Sequence, residues 1–183
     1  DTIRSRCLRL NFAGDGQRSF GEDELAWLRE FAAMAAQGDK DLFGRYRLLD
    51  TLMVRLKALE ATIDEEVEAA SPLSQHEEIP PELRDQWEEE SKAAVMAEYR
   101  HRRAGFLTAL QGWLRDVWLH ARGLGAERAR FPDLADSAAS VGGRITARDA
   151  EANLRLVEQT QRTLHTNVGE LLVLEMGLLK LKL

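Results

Sequence analysis

Cysteine is almost absent from this chain. Cys7 is the only one among 183 residues, so an internal disulfide is excluded and a reducing compartment is weakly favoured. Histidine is scarce as well. His76, His101, His120 and His165 are scattered without ligand spacing, and there is no HExxH motif or cysteine pair. A dedicated metal site is therefore not expected, and His120 and His165 read as residues of helix ends or surfaces. No apolar run approaches the ~18 residues of a membrane-spanning helix. The opening DTIRSRC lacks the pattern of a signal peptide. Glycine occurs in AGDGQRSFG, GLGAER and SVGGR, but none of these continues into a Lys-Ser or Lys-Thr pair. A phosphate-cradling loop is thus missing, and nucleotide hydrolysis by the chain alone is not expected. No GxSxG motif supports serine chemistry. Cys7 sits in an apolar strand-like pattern without a histidine tied to it, which favours a buried structural thiol over a reactive one.

Charge is plentiful but unevenly spread. The formal net charge is -6. Residues 60–90 hold twelve acidic side chains against one basic, Arg84, whereas residues 91–183 hold fourteen basic and ten acidic. The middle should be well solvated and poor at approaching phosphate backbones. The C-terminal half is only mildly basic, too weak a stripe for a free-standing nucleic-acid binder. Carboxylates crowd in EEVEAA and WEEESK, and their runs read as solvated helix faces rather than acid–base pairs.

Alternation of Ile3, Cys7, Leu8 and Leu10 predicts a strand over residues 2–10. Almost everything after it reads as helix. Leu25, Leu28, Phe31 and Ala32 share one face before Gly38. Leu42, Tyr46, Leu49, Met53 and Leu56, continued by Leu59, Ile63 and Val67, predict a long amphipathic helix over residues 40–69. SPLSQHEEIPPE at residues 71–82 contains three of the four prolines and breaks the pattern. A second long helical stretch runs from Leu83 through Trp87, Tyr99, Phe106 and Trp113 to Val117. Its partner is expected to be the first long helix, antiparallel across the prolines. Residues 122–144 read as irregular, with one short helix after Pro132. Thr146 caps the next helix, and Leu171 to Leu181 predict a last apolar helix running to the end. That segment is apolar on more than one side, which suits the centre of a bundle, a subunit contact, or both. The tryptophans fall at helical spacing, which favours core or interface over base stacking. Trp113, Arg115 and Trp118 in WLRDVWLHARG form a candidate interface.

One strand makes no sheet, so a strand at residues 2–10 suggests the cut edge of a larger domain. TIRSRCLRL resembles the strand that ends the ATPase domain of bacterial DNA polymerase III clamp-loader subunits, members of the AAA+ superfamily with a Ser-Arg-Cys motif there. RRAGFLTALQGWLRDVWLHARG at residues 102–123 and TLHTNVGELLVLEMGLLKLKL at residues 163–183 are similar to their C-terminal collar. Asn167, Leu174 and Glu175 fit the family's last segment, while Gly169 and Glu170 stand where Asn-Pro is usual. The likeness is closest to the delta-prime type, with the gamma/tau type next. An unrelated helical protein-interaction domain is the third possibility.

The resemblance implies an all-α fold, a lid-like segment plus a collar-like bundle, with a remnant β-strand of a missing AAA+ domain at the N-terminus. Its divisions would be the terminal strand at 1–12, the lid at 13–70, an acidic linker or insertion at 71–90, and the oligomerising collar at 91–183. It implies a cytoplasmic role in ATP-driven loading of the sliding clamp onto primed DNA. The partners would be gamma/tau and delta subunits, and clamp and DNA would be reached through the full assembly, with no membrane. Arg6, flanked by Ser5 and Cys7, would act in trans as an arginine finger, since a guanidinium suits phosphate oxygens. Asn167, Leu174 and Glu175 would join the interface. No cofactor is expected on this segment; ATP and magnesium belong to the intact complex. Whether the chain is an enzyme is left open, because the label DNA-directed DNA polymerase describes the holoenzyme.

Overall fold

The computed structural model describes residues 19–38, 41–71, 80–124 and 126–183. Their order is α1 (Glu22–Gln37), α2 (Leu42–Ala70), α3 (Pro81–Ala121), two 3-10 turns (Ala126–Arg128 and Pro132–Leu134), α4 (Ala135–Gly142), α5 (Ala147–Thr163) and α6 (Glu170–Leu178). The fold is all-α, and no strand occurs among the described residues. This corrects the expectation of a remnant strand in the fold class. A strand needs a neighbouring edge to take up its backbone groups, and the helices described here offer none. Residues 2–10, and with them Ser5, Arg6 and Cys7, lie outside the described residues.

The helix ends follow local chemistry. Glu22, Asp23 and Glu24 stand in the first turn of α1, where the helix dipole favours negative charge. The Gly21 N–H donates to Glu24 Oε2 at 2.8 Å. Gly38 closes α1 at φ 81°, a left-handed conformation that favours glycine. Arg144 completes that end by donating from Nη1 to the Ala36 carbonyl and from Nη2 to the Ala35 carbonyl, both at 2.6 Å. At α2 the Gly44 N–H donates to Asp41 Oδ1 at 2.7 Å. Thr146 caps α5 as its sequence position suggests, accepting from the Asp149 N–H.

The core gathers side chains from α1 to α6. Phe106, Trp27, Phe31 and Trp113 form an aromatic chain in that order, with successive ring centroids 5.6, 5.3 and 6.0 Å apart. All four rings are buried, each worth on the order of 1.5–3 kcal/mol in removal from water. Both indoles keep a polar partner, Trp27 Nε1 donating to Thr51 Oγ1 and Trp113 Nε1 to Ser137 Oγ, each at 3.1 Å. Leu107, Leu110, Val141, Val157 and Leu174 extend the same cluster across α3, α4, α5 and α6. Helix α4 lies so close to α3 that a Cβ on Gly142 would come within 2.8 Å of the Val117 carbonyl oxygen.

Helix α3 is one unbroken helix of 41 residues, although its sequence allows a break. Only its second half joins the core: no described side chain of α3 before Arg103 is buried. Its first half instead runs beside the end of α2. Arg102 reaches Glu66, while Ser71 lines a groove with Glu88 and Ser91, so the two helices are antiparallel. Helix α6 stops at Leu178, short of the expected run to the end. The reason is buried Asn153, whose Nδ2 donates to the Lys182 carbonyl at 2.6 Å and whose Oδ1 accepts from the Lys182 N–H at 2.9 Å. Those two bonds hold the tail out of helical register and seat Leu181 in the core.

Candidate functional site

Helix α6 is apolar on both sides, and only one side is needed inside. Val173, Leu174 and Leu178 point into the core. Leu171, Leu172 and Met176 point outward at 52, 52 and 53% exposure, preceded by Val168 at 45%. Leu172 and Met176 are spaced by four, so they stack on one helical face, and Val168 precedes the helix. An apolar face of this kind suits burial against another protein.

The base of this face is fixed by charge. The Glu170 carboxylate, in the first turn of α6, accepts from Tyr99 Oη and from Arg103 Nη1, both on α3. The Arg103 side chain is almost wholly buried and its guanidinium also lies 5.6 Å from the centre of the Tyr99 ring. Burial first, and then the bond to Glu170, hold the Tyr99 phenol well above its usual pKa. Glu170 thus locks α6 to α3.

Trp113 on α3 and Leu174 on α6 both belong to the shared core and have no exposed surface of their own. Trp118 is half-buried, with the Arg122 guanidinium 5.9 Å from its ring centre. Arg115 is exposed and donates to the Arg128 carbonyl at 3.1 Å. Asn167 is exposed beside Val168, and Glu175 is half-buried on α6. His120 stands in the last turn of α3, and His165 is exposed just after α5.

Asp116 has a role its sequence position does not reveal. It is buried, and its two carboxylate oxygens accept from the Arg130 N–H at 2.9 and 2.8 Å and from the Phe131 N–H at 2.9 Å. It therefore organises the irregular segment that follows α3. Val168 and Met176 were also not singled out, though the breadth of the apolar segment in α6 was the signal for them.

Among the described residues no three metal-ligating side chains gather, and no helix is long and apolar enough to cross a membrane. The fold and this face together define a helical bundle whose α6 presents apolar side chains outward. No protein-family model, curated protein or solved structure matches the chain.

Proposed function

We propose that the chain is the lid- and collar-like part of a bacterial clamp-loader subunit of the delta-prime type, and that its work is subunit assembly. The observation that carries the reading is the outward face of α6, formed by Leu171, Leu172 and Met176, with Val168 just before the helix. A collar helix that closes a ring of subunits needs such a face, and it lies within the segment that resembles the collar. Four side chains are less than a whole interface of about 800 Å² per partner, so Asn167, Glu175, Arg115 and Trp118 are assigned to its surroundings. The gamma/tau type remains the neighbouring reading, and it is separated by whether an intact phosphate loop lies upstream. An unrelated helical interaction domain would use the same α6 face with other partners.

In this proposal ATP and magnesium are held elsewhere in the assembly. Sliding clamp and primed DNA are likewise reached through the assembly. Arg6, with Ser5 and Cys7 beside it, is the residue proposed to reach a neighbouring subunit's nucleotide.

Reconstitution tests both parts. The intact protein is mixed with the gamma/tau and delta proteins of the same source and sized by chromatography with light scattering. Co-assembly is expected, and Leu172→Glu should weaken it by at least about tenfold, since it places a charge in a desolvated patch. A chain that never enters the complex would sink the assignment. Arg6→Ala should assemble normally yet depress clamp- and DNA-stimulated ATPase; full activity would remove Arg6 from its role.

A further inference from the structure

The α2–α3 arm, which the assembly reading leaves without a task, carries a second surface. Between the two antiparallel helices runs a groove of about 670 Å³. Its apolar lining is Val67, Val95 and Met96, and Met96 is 49% exposed. Its rim carries Asp64, Glu68 and Glu88, with Lys92 as the one cation in the lining. Among the described residues no ion pair holds any of those three carboxylates. Glu66, two residues from both Asp64 and Glu68, is by contrast already committed to Arg102, whose hydrogen bond draws its pKa down.

The surroundings deepen this asymmetry. Residues 60–71 carry five acidic side chains and no basic one, and residues 83–90 carry four acidic ones against Arg84, so the field over the groove is negative. Phosphate backbones are repelled from it. A second copy of the same arm is repelled too. What satisfies an elongated apolar floor between acidic rims is a third helix, apolar on one side and cationic on the flanks. Two helices that meet along one seam leave a groove of this shape, and a third helix packs into it by the ordinary ridge-and-groove geometry.

We propose that the α2–α3 arm is a docking site for a basic amphipathic helix of a partner protein. The apolar side of that helix lies on Val67, Val95 and Met96, and its Lys or Arg side chains face Asp64, Glu68 and Glu88. This surface is separate from the α6 face and does not depend on the assembly reading. Electrostatic steering by the arm would speed the encounter, and the apolar floor would set the lifetime.

The test uses the full chain and three synthetic helical peptides, measured by calorimetry. One has leucine on one face and lysine elsewhere, the second keeps the lysines but replaces leucine by glutamine, and the third pairs leucine with glutamate. The lysine–leucine peptide should bind, and more weakly as salt is raised. Met96→Lys should cost at least about tenfold in affinity, or about 1.4 kcal/mol, and Glu68→Lys with Glu88→Lys should do the same. Met96 is half exposed, so its replacement leaves the fold in place, as circular dichroism would verify. The other two peptides should bind far more weakly. Equal binding of the lysine–glutamine peptide would reduce the site to bulk charge and overturn the proposal. So would equal binding of the glutamate–leucine peptide, an unchanged affinity for Met96→Lys, or no binding at all. None of these failures touches the assembly experiment, which reads a different face.

Discussion

Tyr99, Arg103 and Glu170 show how much a few side chains can settle across long separations. Glu170 reaches Tyr99 and Arg103 across 71 and 67 residues of sequence, and the contact decides where α6 lies. The Tyr99 phenol is held above its usual pKa by burial and by its bond to the Glu170 carboxylate. In the unfolded chain it ionises near the ordinary value of about 10. In the folded chain it keeps its proton to higher pH. The folded state therefore holds the extra proton above that value, and stability must fall as pH rises beyond it. Below about pH 10 the contribution is fully present. Urea unfolding at pH 9 and pH 11 tests this at the residue scale. The wild type should lose more stability between the two than Tyr99→Phe, which has no phenol to titrate. Equal losses would show that Tyr99 ionises alike in both states. Neither this triad nor the Asp116 cluster is legible in the sequence. Their partners are distant side chains or backbone N–H groups, and no periodicity announces them.

Elements were legible where their own chemistry sets them. Helix α2 was readable from its stripe of Leu49, Met53 and Leu56, and α5 from its Thr146 cap. The end of α6 was not, because Asn153 on another helix fixes it. Nor was the closeness of α4 to α3, which rests on Gly142. An alanine there would bring its Cβ within 2.8 Å of both the Val117 carbonyl oxygen and His120 Cβ, and 3.1 Å of the Ala121 nitrogen. Backbone atoms cannot rotate away, so one of the two helices must shift. Overpacking of this kind costs about 1–3 kcal/mol, against a helix-propensity gain below about 1 kcal/mol. Gly142→Ala should therefore lower the melting temperature by about 2–8 °C. Gly169→Ala, with nothing within 4 Å of its added Cβ, should change it little. A neutral Gly142→Ala would mean that α4 is free to move outward.

At the scale of the molecule, α3 unites two environments in one helix. From Phe106 to Leu119 it is the spine of the core, with Leu107, Leu110, Trp113, Leu114 and Val117 nearly or wholly buried. From Leu83 to Arg102 it has no buried side chain, and its company is the end of α2, joined at Tyr99 by Glu170 of α6. The sequence shows both halves as helix and also shows the acidic excess of the arm, but it does not show where burial stops. Tyr99 and Glu98 stand near that boundary, and Arg102 clamps it by bonding Glu66 on α2 and Glu98 on its own helix. Opening of the arm therefore exposes little apolar surface, whereas opening of the spine disrupts the whole core. Native-state hydrogen exchange should report two levels of protection in α3. Amides from Leu83 to Arg100 should exchange through local opening, and those from Phe106 to Leu119 only at the global limit. Arg102→Ala removes the clamp at the boundary and should lower protection on the arm side while leaving the spine near its original level. Uniform protection along α3 would show that the arm is stabilised as strongly as the core, and would refute this division.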